Sequence, residues 1–174
     1  DIGPIIDHDA RATLAAHAKK MAGLGKTLAD LPLPPACEHG SFFGPKAYEI
    51  NSLDVLEREV FGPIIHVIRY EASHLDAVID AVNRTGYGLT LGIHSRIEAV
   101  QRHIAGRVRA GNAYVNRSMI GAVVGVQPFG GEGLSGTGPK AGGLHYLPRL
   151  AVERTLSVNT PAAGGNTTLG TLED

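Results

Sequence analysis

Residues 64–116 read IIHVIRYEASHLDAVIDAVNRTGYGLTLGIHSRIEAVQRHIAGRVRAGNAYVN, and this stretch decides the fold. Its opening, Ile64–Tyr70, is rich in β-branched residues and reads as a strand. A helix is expected from Ser73. Ser73 and Asp76 stand at capping-box spacing, and Leu75, Val78, Ile79 and Val82 supply a buried stripe. Gly86 and Gly88 end it. Leu89–His94 reads as a buried strand. Ser95 and Glu98 form a second capping-box pair, opening a helix with Ile97, Val100 and Ile104 on one side and Gly106 as its stop. Ala113–Asn116 is another short strand. Strand, helix, strand, helix, strand at this spacing predicts an α/β fold with βαβ units and a mostly parallel sheet.

Upstream, Ala47–Ile50 reads as a further short strand, and Leu31-Pro32-Leu33-Pro34-Pro35 breaks regular structure. Before it, Asp7 caps a helix over His8–Gly23 with Ala10, Leu14, Ala18, Met21 and Ala22 on one face. Downstream, Arg117–Gly143 shows no long periodic element, and a loop of that length in a compact domain is usually functional or disordered. Val152, Arg154, Leu156 and Val158 alternate with other residues as in an exposed strand. Such an edge needs a partner in another subunit or elsewhere in the same protein. Pro161–Asp174 is polar and glycine-rich, a disordered tail or one laid over a neighbour. These boundaries divide the chain into residues 1–150 and residues 151–174.

Composition narrows the classes. The 174 residues include 43% hydrophobic and 19% charged side chains, the profile of a soluble globular protein with room for one core. A formal charge of -1 gives no electrostatic case for nucleic acid or an anionic membrane. No run approaches the ~20 apolar residues of a membrane span, and no signal-peptide core is present. A single cysteine, Cys37, excludes an internal disulfide and suits a reducing compartment. The start at Asp1, inside what reads as a loop, suggests a piece of a longer protein.

Five groups of residues invite chemistry. In Glu59-Val60-Phe61-Gly62-Pro63, a carboxylate can accept two hydrogen bonds from a ribose diol, and the aromatic ring two positions on can flank a nicotinamide. The Gly62-Pro63 turn would hold both at the start of a strand. Residue types alone favour a plainer reading, a solvated acid beside a core phenylalanine. Gly131-Glu132-Gly133-Leu134-Ser135-Gly136 matches the dinucleotide fingerprint, but glycines and prolines beyond it interrupt the helix that fingerprint requires, so it is not read as a Rossmann site. The eight histidines are scattered and fall in no metal-binding pattern, so no metal is expected. Cys37 follows Pro34-Pro35 with no helix N-terminus to activate it, and a nucleophilic role is not expected. Finally, small residues at Gly121 and Ala122 leave main-chain N–H groups uncovered, which suits an anion. Phe129, between Pro128 and Gly130, offers an apolar wall to a short substrate. A glycine loop packed under a core aromatic would read the same way.

Taken in order, Glu59-x-Phe61-Gly62-Pro63, Asn112-x-Tyr114-x-Asn116, Pro128-Phe129-Gly130-Gly131 and Leu134-Ser135-Gly136 resemble the second half of the aldehyde dehydrogenase catalytic domain. The opening Gly3-Pro4 segment resembles the family's stretch downstream of its nucleophile. Arg117–Gly131 is similar to the Δ1-pyrroline-5-carboxylate (L-glutamate γ-semialdehyde) dehydrogenase branch. Glu153–Thr160 with Ala162–Asn166 resembles the C-terminus of the bifunctional proline utilization A family.

The resemblance implies a cytoplasmic, NAD-dependent oxidation of L-glutamate γ-semialdehyde to L-glutamate in proline catabolism. FAD is implied only for an upstream proline dehydrogenase domain of the parent enzyme. In the family mechanism a cysteine thiolate attacks the aldehyde, the adduct gives hydride to NAD, and activated water hydrolyses the acyl-enzyme. That cysteine and the general base are implied to lie outside this sequence, so no catalytic residue is assigned and the chain alone is expected to be inactive. Glu59 and Phe61 are implied to contact the cofactor. Gly121 and Ala122 are implied to anchor the substrate carboxylate, and Phe129 to line its carbons. The strand within 151–174 is implied to serve oligomerization. The expected partners are the substrate, the rest of the parent enzyme and further copies of it, with no nucleic acid and no membrane span. Two alternatives stay open: a non-catalytic assembly module, or part of an aldehyde dehydrogenase with another substrate.

Overall fold

The computed structural model describes residues 2–123, 125–136, 138–159 and 162. Helix α1 spans His8–Leu24, and Asp7 caps it as expected, its carboxylate accepting from the Ala10 N–H at 2.7 Å. Leu14, Ala18 and Met21 recur at helical spacing and are buried. At the far end the Gly25 N–H donates to the Met21 carbonyl, and the chain turns straight into β1, Lys26–Asp30.

β1 pairs antiparallel with β2, Lys46–Glu49, and β2 pairs parallel with β3, Ile64–Val67. This three-stranded sheet packs against α1. Its core joins Ala18 and Met21 to Tyr48 and Ile50, with Phe43, Val55, Leu56, Ile64 and Ile68 closing the edges. Burying side chains of this size stabilises by about 1.5–3 kcal/mol each, so the α1–sheet contact is the main anchor of this part.

Beyond β3, a 3-10 turn at Ala72–His74 leads into α2, Leu75–Arg84, which buries Ile79. β4, Tyr87–Gly88, and β5, Thr90–Ile93, follow, then α3, Glu98–Arg107, and β6, Asn112–Val115. β5 and β6 pair parallel across α3, which is the expected βαβ unit. β7, Glu132–Gly133, returns antiparallel onto β4.

The α/β class holds, with a finer arrangement than one mostly parallel sheet. The two parallel pairs sit in separate small sheets, and β1–β2 and β4–β7 are antiparallel. Parallel neighbours need a crossover between them. Among the described strands only the β2–β3 and β5–β6 connections place successive strands side by side in that sense.

Neither capping box forms. His74 precedes α2 and Ile97 precedes α3, neither with a side-chain cap. Asp76 turns instead to His103 and Arg107 of α3, and Glu98 pairs with Arg102 one turn on. Asn83 adds a second tie between the helices, donating to the Arg107 carbonyl at 2.9 Å and accepting from the Arg109 N–H at 2.8 Å.

After a 3-10 turn at Pro148–Leu150, residues 151–159 form no strand. Val152, Leu156 and Val158 stand exposed there. A strand exists only where a second backbone pairs with it, and no described segment does so. The expectations for 160–174, apart from Ala162, lie outside the described residues. No described helix is long and apolar enough to cross a membrane.

Candidate functional site

Glu59 and Phe61 sit on the turn that feeds β3. The turn is fixed from below by α1: a side chain carbon on Gly62 would fall 2.5 Å from the δ-carbons of Leu14, which is itself fully buried. Only glycine lets the backbone lie that close. The Pro63 carbonyl then accepts from the Lys46 N–H at 3.0 Å, so the turn passes directly into the β2–β3 ladder. The Phe61 ring is 87% exposed. The Glu59 side chain borders a cleft of about 550 Å³, shared with Arg58, Thr85, Arg109, Leu134 and Ser135. No cation pairs with Glu59 among the described residues.

The second group lies beyond β6. Asn112, Tyr114 and Asn116 occupy alternate positions of one strand and its end, so they share a face. Asn116 takes a left-handed backbone, with φ of 53°. Its side chain accepts from the Ser95 N–H at 3.0 Å and donates to the Ser95 carbonyl at 2.9 Å. Asn112 is buried. Its amide donates to the Pro128 carbonyl at 3.0 Å, and its oxygen accepts from the Gly130 N–H at 3.4 Å. The Lys140 ammonium reaches the Gly111 carbonyl and the Asn112 oxygen. Arg117 lays its guanidinium 4.5 Å from the centre of the Tyr114 ring.

Between these ties runs the loop that carries Gly121, Ala122 and Phe129. Gly121 has φ of +77°, a conformation that side chains oppose, and open space where one would go. Neither the Gly121 nor the Ala122 N–H donates to an acceptor among the described residues. Further on, the Gln127 N–H donates to the Val123 carbonyl at 2.7 Å, and the Gln127 side-chain oxygen accepts from the Val123 N–H at 3.3 Å. Phe129 is held by two main-chain bonds to Ala141, of 3.0 and 2.8 Å, with its ring 40% exposed.

The predicted residues therefore fall into two sets. Gly121, Ala122 and Phe129 share one tied loop. Glu59 and Phe61 belong to the α1-supported turn, and the Glu59 cleft does not extend to Gly121. The turn after β7 reaches that cleft through Leu134 and Ser135, and Ser135 accepts from the Gly88 N–H at 3.0 Å.

Asn112 and Asn116 tie the two ends of this loop, contacts that the motif reading did not assign. Their signal was the Asn-x-Tyr-x-Asn spacing itself, which places three polar side chains on one strand face.

Gly131–Gly136 forms β7 and a turn, with no helix opening at Gly136 among the described residues. Cys37 closes a 3-10 turn, Pro35–Cys37. No group of three or more metal-ligating side chains gathers among the described residues. His17 of α1 and His66 of β3 do meet, their Nε2 atoms 2.9 Å apart. Burial pushes the His17 imidazole below its usual value, helped by Lys20. Burial does the same to His66, helped by His17.

The model of the aldehyde dehydrogenase family matches residues 1–155. The chain belongs to the aldehyde dehydrogenase family. Within that family it is 51% identical over 150 residues to the bifunctional protein PutA of Rhizobium meliloti, covering 86% of this chain and 12% of that protein. It is 46% identical over 174 residues to PutA of Salmonella typhimurium, covering 97% of this chain and 13% of that one. A crystal structure of bifunctional proline utilization A superposes with a TM-score of 0.86 at 54% identity, over 93% of this chain and 16% of that chain. A 1-pyrroline-5-carboxylate dehydrogenase from Thermus with bound NAD superposes at 0.75 and 32% identity, over 84% of this chain and 28% of that one. This aldehyde dehydrogenase sequence thus spans a small part of the length of the curated relatives it matches first.

Proposed function

We propose that this chain is the substrate-anchor and cofactor-ribose portion of an NAD-dependent dehydrogenase. In this reading the enzyme oxidises L-glutamate γ-semialdehyde, formed from Δ1-pyrroline-5-carboxylate, to L-glutamate in proline catabolism. The observation that carries the reading is the likeness to proline utilization A, at 54% identity and a TM-score of 0.86.

The chain's own residues fit those tasks. Two adjacent N–H groups at Gly121 and Ala122, without a described protein acceptor, suit a carboxylate, because each main-chain donor to an anion forms a charge-assisted hydrogen bond. Phe129, one tied loop away, offers its ring face to the methylenes between that carboxylate and the aldehyde. The Glu59 carboxylate, in no salt bridge among the described residues, suits a ribose diol, and the exposed Phe61 suits a flat apolar ring. Bound NAD+ supplies the hydride acceptor. The nucleophile and general base belong to the parent enzyme outside these residues, and the chain by itself positions the two reactants. A cytoplasmic location and assembly into a homo-oligomer go with this reading.

A further role is proposed for residues 151–159. Val152, Leu156 and Val158 are 93%, 79% and 69% exposed, which suits pairing and apolar contact with another part of the assembly.

The test is a substrate comparison in the full-length protein, following NADH formation. L-glutamate γ-semialdehyde is expected to exceed an uncharged aldehyde of the same length by on the order of 100-fold in kcat/KM, from two charge-assisted hydrogen bonds. Equal values for the two aldehydes would remove the anchor from the account.

A further inference from the structure

Loop 117–130 leaves β6 at Asn116 and returns beside β6 at Asn112. Its two ends are gripped by the same strand, and the two grips have different chemistry. At the outgoing end, Asn116 uses both functional atoms of its amide on one residue, Ser95, which follows β5. The pair forms a closed ring of two hydrogen bonds, which fixes direction as well as distance. The Asn116 N–H also continues the β5–β6 ladder by donating to the Ile93 carbonyl at 2.8 Å. Its φ of 53° then turns the chain out of the strand, a conformation that asparagine tolerates better than other non-glycine residues.

At the returning end, Asn112 is 8% exposed and spans the Pro128 carbonyl and the Gly130 N–H, bracketing Phe129 from both sides. Its amide nitrogen lies 3.3 Å from the Tyr114 hydroxyl, and the Tyr114 ring in turn carries the Arg117 guanidinium. The comb of Asn112, Tyr114 and Asn116 therefore touches the loop at its first residue, Arg117, and at Pro128 and Gly130 on either side of Phe129. Among the described residues between, where Gly121 and Ala122 lie, the backbone–backbone hydrogen bonds are those from the Val126 and Gln127 N–H groups to the Val123 carbonyl. Met119 adds a hold within the loop by packing over Gly92 of β5, and the two asparagines fix where the loop leaves and rejoins β6.

We propose that Asn112 and Asn116 are positioning residues for the substrate. Acting as a pair on one strand face, they hold the Gly121–Ala122 N–H groups and the Phe129 ring at the spacing of a carboxylate and the carbons attached to it. The proposal rests on the anchor reading above and deepens it: selectivity for carboxylate-bearing aldehydes is governed from β6 by side chains that need not touch the substrate. Neither asparagine is required for the chemistry at the aldehyde carbon.

The test uses the full-length protein with Asn116→Gly, which keeps the left-handed backbone and removes only the side-chain grip, and Asn112→Ser, a milder change at the buried end. Folding is checked by thermal melting. KM and kcat are measured for L-glutamate γ-semialdehyde and for an uncharged aldehyde of the same length, and KM for NAD+ alongside. Each variant is expected to raise KM for the semialdehyde about tenfold, the loss of one to two net hydrogen bonds of orientation, with kcat within about twofold. KM for the uncharged aldehyde and for NAD+ should stay within about twofold of the parent values.

A rise shared equally by both aldehydes, or no rise in either variant, overturns the positioning role. The anchor reading fails separately, by an unsubstituted enzyme that does not prefer the semialdehyde. If Asn112→Ser does not fold, Asn116→Asp decides the matter. It retains the acceptor for the Ser95 N–H and loses the donor to its carbonyl, so a semialdehyde KM between parent and Asn116→Gly is expected, and a parental KM contradicts the proposal.

Discussion

Gly62 rests on Leu14. A carbon added at Gly62 would stand 2.5 Å from both δ-carbons of a leucine with no exposed surface, so the turn carrying Glu59 and Phe61 takes its height from α1. A contact below 3.0 Å must be relieved, and here the yielding group is a packed core side chain or the turn itself.

Gly62→Ala in the full-length protein is therefore expected to lift the turn. The overpacking should cost about 1–3 kcal/mol of stability. KM for NAD+ should rise several-fold while KM for the aldehyde stays near the parent value. Thermal melting and steady-state kinetics check the two parts, and a variant with parental KM for NAD+ would separate the turn from cofactor binding.

The paired imidazoles of His17 and His66 give a pH dependence whose sign is fixed. Both are held below the ordinary value of 6.5 by burial, so the folded state binds fewer protons than the unfolded state. Their contribution is complete above pH 6.5 and is lost as the pH falls through the lowered folded values. Lys20 on α1, Glu57 and Arg58 line the cavity beside His17, and Glu57 pairs with Lys20 at 2.8 Å. Hydrogen exchange at α1 and β3 amides in the full-length protein should accelerate, after correction for intrinsic rates, as the pH drops below 6.5. In His66→Gln that excess acceleration should shrink, and an identical pH profile would show that the pair is not its source.

Asn83 closes the C-terminal end of α3 from a different helix. It satisfies the Arg107 carbonyl and the Arg109 N–H, so Asn83→Ala leaves a donor and an acceptor unmatched. A loss of about 1–2 kcal/mol is expected, read as a lower melting temperature with unchanged KM values. A melting temperature equal to the parent's would mean that water replaces both bonds.

Much of this fold could be read from residues 64–116, because apolar periodicity and β-branched runs are local signals. Strands at Lys46–Glu49, Ile64–Val67, Thr90–Ile93 and Asn112–Val115 fall within a residue or two of expectation on most sides. β1 was not foreseen. Lys26-Thr27-Leu28-Ala29-Asp30 lacks an apolar face and is largely exposed; it is a strand because β2 pairs with it. The Ser73–Asp76 capping box failed for the complementary reason, since Asp76 finds a cation on another helix that its sequence neighbourhood does not reveal, whereas Glu98 pairs locally with Arg102.

The same contrast runs through the site. Gly121, Ala122 and Phe129 stand out in the sequence as bare backbone beside an aromatic. The grip of Asn116 on Ser95 joins residues far apart in the chain, and only the β5–β6 pairing makes it visible.

Cys37 lies in a 3-10 turn at Pro35–Cys37, outside both sets of site residues. Cys37→Ser in the full-length protein is expected to leave kcat and KM within about twofold of the parent, because a serine matches its volume and no role in the chemistry is lost. A collapse of kcat would make this thiol the nucleophile and overturn the division of labour described above.

Ala122→Pro removes one of the two N–H groups assigned to the substrate carboxylate and leaves every side chain of the site in place. The decisive measurement is KM for L-glutamate γ-semialdehyde in that variant of the full-length protein, beside KM for an uncharged aldehyde of equal length. The account predicts a rise of about ten- to a hundredfold for the semialdehyde alone, the loss of one charge-assisted hydrogen bond. An unchanged KM for the semialdehyde would contradict it.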